Sequence, residues 1–83
     1  MIFSKSTCGF CYATKKLFEK LDIDAQIFEL NEMEHGASIQ KALYDITGQR
    51  TVPSTFVNGK HIGGNDKTQQ AARSGELQTL LAS

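Results

Sequence analysis

The chain has 83 residues, 40% of them hydrophobic, enough for one small domain spanning 1–83 and too many for an intrinsically disordered segment. Nine Lys and Arg balance nine Asp and Glu, so a formal net charge of zero leaves no broad basic field for nonspecific nucleic-acid binding. No apolar run nears the roughly 20 residues that span a bilayer, and Met1-Ile2-Phe3-Ser4-Lys5 is too short and polar for a secretory signal. The expectation is an intracellular, cytoplasmic protein without nucleic-acid or membrane partners, or an organellar one after removal of a presequence.

Ile2-Phe3 running into Ser4-Lys5-Ser6-Thr7 reads as a short strand ending in a loop. From Gly9 to Leu21 the apolar positions Ala13, Leu17, Phe18 and Leu21 recur at helical spacing, which puts Cys8 at or just before the first turn of an amphipathic helix. Asp22-Ile23-Asp24 interrupts the pattern, and Ala25 to Leu30 predicts a second strand. Polar, acidic Asn31 to Gly36 reads as a loop. Ile39, Ala42, Leu43 and Ile46 mark a second helix, with Gly48 as its stop.

Thr55-Phe56-Val57 and Lys60-His61-Ile62 flank Asn58-Gly59, a dipeptide suited to the positive φ angles of a two-residue hairpin. Gly63-Gly64-Asn65-Asp66 reads as a loop, and helical patterns resume at Ala71-Ala72. Gly75 interrupts them before Leu77, Leu80 and Leu81. The order is β-α-β-α-β-β-α with the last helix split near Gly75. The first two strands should lie parallel through a right-handed crossover, and the later pair should form an antiparallel hairpin. An α/β fold follows, a mixed four-stranded sheet between helices.

Only two cysteines occur, Cys8 and Cys11. A bridge across two residues closes almost no loop and would stabilise the chain little, so both look chemical rather than architectural. Thiolate, not thiol, attacks a disulfide. At a helix start, unpaired backbone N–H groups and the positive dipole end favour an anion on Cys8, and Lys5, Lys15 or Lys16 could add positive potential. Cys11, one turn on and more buried, suits the role of resolving a mixed disulfide formed on Cys8. Zinc is the blander alternative, but His35 and His61 are spaced far too widely for a finger. Both histidines read as surface residues, and Tyr12 as a residue that packs near the cysteine pair rather than reacting.

Cys8-Gly9-Phe10-Cys11, Thr51-Val52-Pro53 and Gly63-Gly64, in that order across essentially the whole chain, resemble a dithiol glutaredoxin. The resemblance implies a thioredoxin-like fold and glutathione-dependent reduction of protein–glutathione mixed disulfides and protein disulfides. By the same resemblance Cys8 is the nucleophile and Cys11 the resolving thiol. Lys5 and Gln40 would meet the glycyl carboxylate of glutathione, with Phe10 beside the sulfur. Val52, ahead of a cis Pro53 and next to Thr51, would pair its backbone with the cysteinyl part. Gly64, Asn65 and Asp66 would hold the γ-glutamyl end. Lys67 stands where the family has an acid, so ammonium recognition there is altered and Lys67 could take the carboxylate instead. The plain alternatives are that Pro53 is an ordinary turn residue and that Asn65 or Asp66 simply caps a helix.

Gly9 replaces the proline common after the first cysteine. Some proline-free dithiol members carry a [2Fe–2S] cluster between two subunits on two N-terminal cysteines and two glutathiones, so Cys8 would be the ligand and a cluster-bridged dimer an addition to a monomeric enzyme. Cys-Gly-Phe also resembles the monothiol cluster carriers, but Cys11 stands in place of their serine and the chain has no Trp. A thioredoxin-type, glutathione-independent reductant fits less well, given the short length, Gln40 and the Gly63-Gly64 loop.

Overall fold

The structure, a computed structural model, describes residues 1–82. In chain order the elements are β1 (Ile2–Ser4), α1 (Gly9–Lys20), β2 (Ile27–Glu29), a 3-10 turn (Leu30–Glu32), α2 (Gly36–Thr47), β3 (Ser54–Val57), β4 (Lys60–Gly63), α3 (Asn65–Ser74) and α4 (Glu76–Ala82). The strands form one mixed sheet in the order β2-β1-β3-β4. β1 and β2, joined through α1, run parallel with Ile2, Phe3 and Ser4 opposite Ile27, Phe28 and Glu29. β3 lies antiparallel to both β1 and β4. At the β3–β4 turn Asn58 and Gly59 have φ of 49° and 82°, the two left-handed positions a type I′ hairpin needs.

Alternation along β1 sorts the interior into two layers. Ile2 points to the side of α1, α3 and α4, where it joins Phe18, Val57, Ile62, Ala71 and Leu77 in the core. Phe3 points the other way, stacks on Phe28 with ring centroids 5.2 Å apart and meets Phe56 edge-on at 5.9 Å. Leu43 of α2 lines the same cavity as Phe3 and Phe56. α1 buries Cys11, Thr14 and Phe18 at helical spacing, so the second cysteine of the pair is directed at the sheet.

Several boundaries move from their expected places. The 31–36 segment is not an open loop: buried Leu30 begins a 3-10 turn, and Gly36 starts α2 tight against it. α3 begins at Asn65, because its first turn and a half, Asn65 to Gln70, offers no apolar position to reveal a period. The second strand is shorter than 25–30. Gly48 (φ 77°) and Gly75 (φ 88°) do end α2 and α3 in the left-handed conformation.

Candidate active site

Cys8 is the N-cap of α1, in extended backbone, and its Sγ accepts a hydrogen bond from the Cys11 N–H at 3.2 Å. Its own N–H donates to Lys5 O at 3.0 Å, closing the turn that carries β1 into the helix. No acidic side chain stands in the first turn of α1 to compete for the free N–H groups. Both cysteines are free thiols, Cys8 partly exposed and Cys11 wholly buried.

Their environments push the two thiols apart. Burial alone would raise Cys8, but hydrogen bonds from the Cys11 side chain and from the Cys11 and Phe10 N–H groups, with the Lys15 charge behind them, hold it below an ordinary thiol. Cys11 is raised, first by burial and then by its bond to Cys8 and the Cys8 charge, against weaker donation from the Lys5 backbone and the Ser4 hydroxyl. Lys15 is anchored by Glu29 at 2.7 Å. Of the three lysines expected to act on Cys8, it is Lys15 whose charge does so; Lys16 instead pairs with Glu19 at 3.5 Å and sits 5.5 Å from the Tyr12 ring centre.

Beside the pair opens a cavity of about 710 Å³ lined by Phe10, Thr51, Val52, Pro53, Gly64, Asn65, Asp66 and Lys67 among the residues singled out by sequence. Cys8 is tied to its wall by an Sγ···O contact of 3.8 Å with Val52. The Val52–Pro53 peptide is cis, as the resemblance implies. The Val52 N–H makes no backbone–backbone hydrogen bond among the described residues. Gln49 braces this loop by donating through Nε2 to Thr51 O and Pro53 O, both at 2.8 Å. Gln40 and Lys5 do not line the cavity; Gln40 Nε2 donates to Arg50 O at 2.9 Å, supporting the loop from behind.

At the far end the plain alternative, an Asn65 or Asp66 cap, is not what the structure shows. Gly64 is the N-cap and makes no side-chain bond, while Asn65 Oδ1 accepts from Thr14 Oγ1 at 3.0 Å and Gln69 Nε2 at 3.2 Å, tying α3 to α1. The Lys67 stem lies on Gly63, where an added Cβ would come 3.0 Å from Lys67 Cδ. Asp66 and Lys67 stand exposed at the rim.

His61 is not a plain surface residue. Its ring lies 4.9 Å from that of Phe56, its Nε2 is 3.1 Å from Ser54 Oγ, and it lines the cavity. Burial, then the Lys67 charge, pushes its imidazole down, so it is uncharged at neutral pH. Gln49 and His61 belong to no motif; the only sequence signal for His61 was its place across the hairpin from Phe56. Among the described residues no three His, Cys, Asp or Glu side chains gather as a metal cage. This chain offers a [2Fe–2S] cluster one partly exposed sulfur, Cys8, so the other ligands would come from outside it.

A family profile described as Glutaredoxin matches residues 1–62. Glutaredoxin-1 of Saccharomyces cerevisiae is 50% identical over 84 residues, covering 96% of this chain and 76% of the yeast protein. Glutaredoxin-C4 of Arabidopsis thaliana is 53% identical over 81 residues, covering 98% of this chain but only 60% of the plant protein. The crystal structure of the buckwheat glutaredoxin–glutathione complex matches with a TM-score of 0.94 and 47% identity over 98% of this chain and 74% of that one. The mixed sheet and its flanking helices are therefore a thioredoxin-like fold, and the chain belongs to the glutaredoxin family of glutathione-dependent thiol–disulfide oxidoreductases.

Proposed function

We propose that residues 1–83 act as one glutaredoxin domain that reduces protein–glutathione mixed disulfides and protein disulfides with glutathione as reductant. What carries the reading is the division between the two sulfurs: a partly exposed thiol held below the ordinary range beside a 710 Å³ cavity, and a buried one raised above it. The Cys8 thiolate attacks the glutathione sulfur of a mixed disulfide, and the substrate sulfur leaves as a thiolate that takes a proton from water. A second glutathione, as thiolate, attacks the Cys8 adduct, giving oxidised glutathione and restoring Cys8. On a protein disulfide, Cys11 attacks the Cys8 sulfur of the mixed intermediate and frees the substrate; two glutathiones then reopen the Cys8–Cys11 bridge.

In this reading Val52 pairs with the cysteinyl backbone of glutathione, flanked by Phe10, Thr51 and Pro53. Gly64, Asn65, Asp66 and Lys67 take the γ-glutamyl end, and Lys5 and Gln40 reach the glycyl carboxylate from outside the cavity wall. The bound glutathione of the buckwheat protein supports the ligand. Two cysteines used for chemistry, and none for stapling, suit a reducing compartment. Cluster carriage would add to this activity; the Cys8 thiolate and Gly9 support it, and anaerobic reconstitution with iron, sulfide and glutathione, read as visible absorbance and a bridged dimer, tests it.

The enzymatic reading is tested by turnover of a glutathionylated peptide coupled to glutathione reductase. Cys8→Ser should lose all activity and Cys11→Ser should keep it, whereas both should lose reduction of a protein disulfide. Turnover by Cys8→Ser, or coupling to thioredoxin reductase in place of glutathione, would overturn it.

A further inference from the structure

Asn65 lines the cavity at the start of α3, yet one end of its side chain is held from behind by α1. Its Oδ1 accepts from Thr14 Oγ1 at 3.0 Å and from Gln69 Nε2 at 3.2 Å. Gln69 stands one turn further along α3 on the same face, and its Nε2 also donates to Ala13 O of α1 at 3.4 Å. The two partners of Asn65 do different things. A hydroxyl both donates and accepts, so the wholly buried Thr14 would hold either end of the amide. A backbone carbonyl only accepts, so Ala13 O turns the Gln69 amide with its NH2 towards α1, and that NH2 requires the Asn65 oxygen to face it. The α1 backbone thus sets, through two amides, which end of Asn65 is spent on the protein. What remains is Nδ2. Neither of its hydrogens has a partner among the described residues, and the atom is not buried.

Resting on the reading that Gly64 to Lys67 take the γ-glutamyl end of glutathione, we propose that Thr14 and Gln69 are positioning residues: they set the Asn65 amide with Nδ2 towards the cavity, so that the γ-glutamyl carboxylate meets a fixed donor. A carboxylate only accepts, and an amide presented oxygen-first would repel it. Asp66 and Lys67, next along the chain, stand exposed at the rim, so neither offers a group in a fixed direction. The Asn65 amide, braced from two sides, supplies that direction. Holding it before the ligand arrives also removes the cost of ordering it on binding. Thr14 lies one turn after Cys11, so a single helix carries both the sulfurs and the brace.

The test measures the second-order rate at which Cys8 takes the tripeptide from two mixed disulfides of one peptide, in single turnover without free glutathione. One disulfide carries glutathione; the other carries γ-aminobutyryl-Cys-Gly, which is glutathione without the γ-glutamyl carboxylate. The unsubstituted protein should prefer glutathione about tenfold, the size of one hydrogen bond to a charged group. Gln69→Met leaves the amide free to turn over against Thr14, so it should slow the glutathione reaction about fivefold and leave the analogue's rate unchanged. Thr14→Val should act in the same direction, and Thr14→Ser should restore the rate. Asn65→Asp, with an acceptor at both ends, should abolish the preference. Alkylation of Cys8 by iodoacetamide, which needs no cavity, should be the same in the Thr14 and Gln69 variants. Equal losses on both disulfides would make Thr14 and Gln69 structural supports only and overturn the proposal, as would an unchanged glutathione rate in Gln69→Met. No preference in the unsubstituted protein would sink the placement of the γ-glutamyl end and the proposal with it, whereas transfer from neither disulfide would sink the enzymatic reading itself.

Discussion

Cys8 owes its reactivity to being the cap of a helix: the residue that would ordinarily be Ser or Asp, accepting the N–H three positions on, is here a sulfur. Lys15 adds charge to what the backbone supplies. Lys15→Met should lift the Cys8 thiol, so the rising limb of alkylation rate against pH moves to higher pH; an unmoved limb would leave the backbone donors to act alone. The same lysine holds Glu29. Burial alone would raise that carboxyl, but the Lys15 and Ser4 bonds and the Lys15 charge bring it below its ordinary range. A carboxyl lowered on folding contributes stability that is complete above its unfolded value and is lost as pH falls through the folded one. Lys15→Met should therefore cost roughly 1 kcal/mol at neutral pH, less in acid, as urea midpoints across that window would show. At this scale the cysteine pair was legible from chemistry and spacing, whereas the cis Val52–Pro53 bond was legible only through the family resemblance. The tie of Asn65 to Thr14 and the packing of His61 on Ser54 and Phe56 were not legible, since Thr14 comes from a distant chain position and the hairpin contacts depend on register.

Helices α2 and α3 show why ends are harder to read than middles. Both open on stretches without an apolar period, so their starts are set by tertiary packing. Gly36 is the clearest case: a Cβ there would lie 1.8 Å from Leu30 O, a backbone atom that cannot swing aside. Gly36→Ala should cost roughly 1–3 kcal/mol, lowering the melting temperature by about 4–8 °C per kcal/mol, with turnover per folded molecule unchanged. A neutral effect on melting would mean that the 3-10 turn gives way easily. Asn58-Gly59 and Gly48, by contrast, were readable in place, because their left-handed backbone is a local demand.

Over the whole molecule the fold is legible from element order alone, since a crossover through α1 compels parallel pairing and a two-residue turn compels a hairpin. What no local pattern indicates is how the short α4 completes the core. Leu77 is wholly buried there against the layer containing Ile2 and Phe18, and Leu77→Ala should cost about 2–5 kcal/mol, read as a lowered denaturant midpoint. The same layer holds α1 against the sheet, so core packing and the separation of the two thiols are one arrangement.

The account turns on that separation, and selective alkylation followed across pH with each modified peptide identified by mass measures it most directly. We expect Cys8 to react first, with a midpoint below that of a free thiol, and Cys11 to stay protected until well above it. Equal reactivity of the two sulfurs, or a Cys8 midpoint at or above the free-thiol value, would contradict the account.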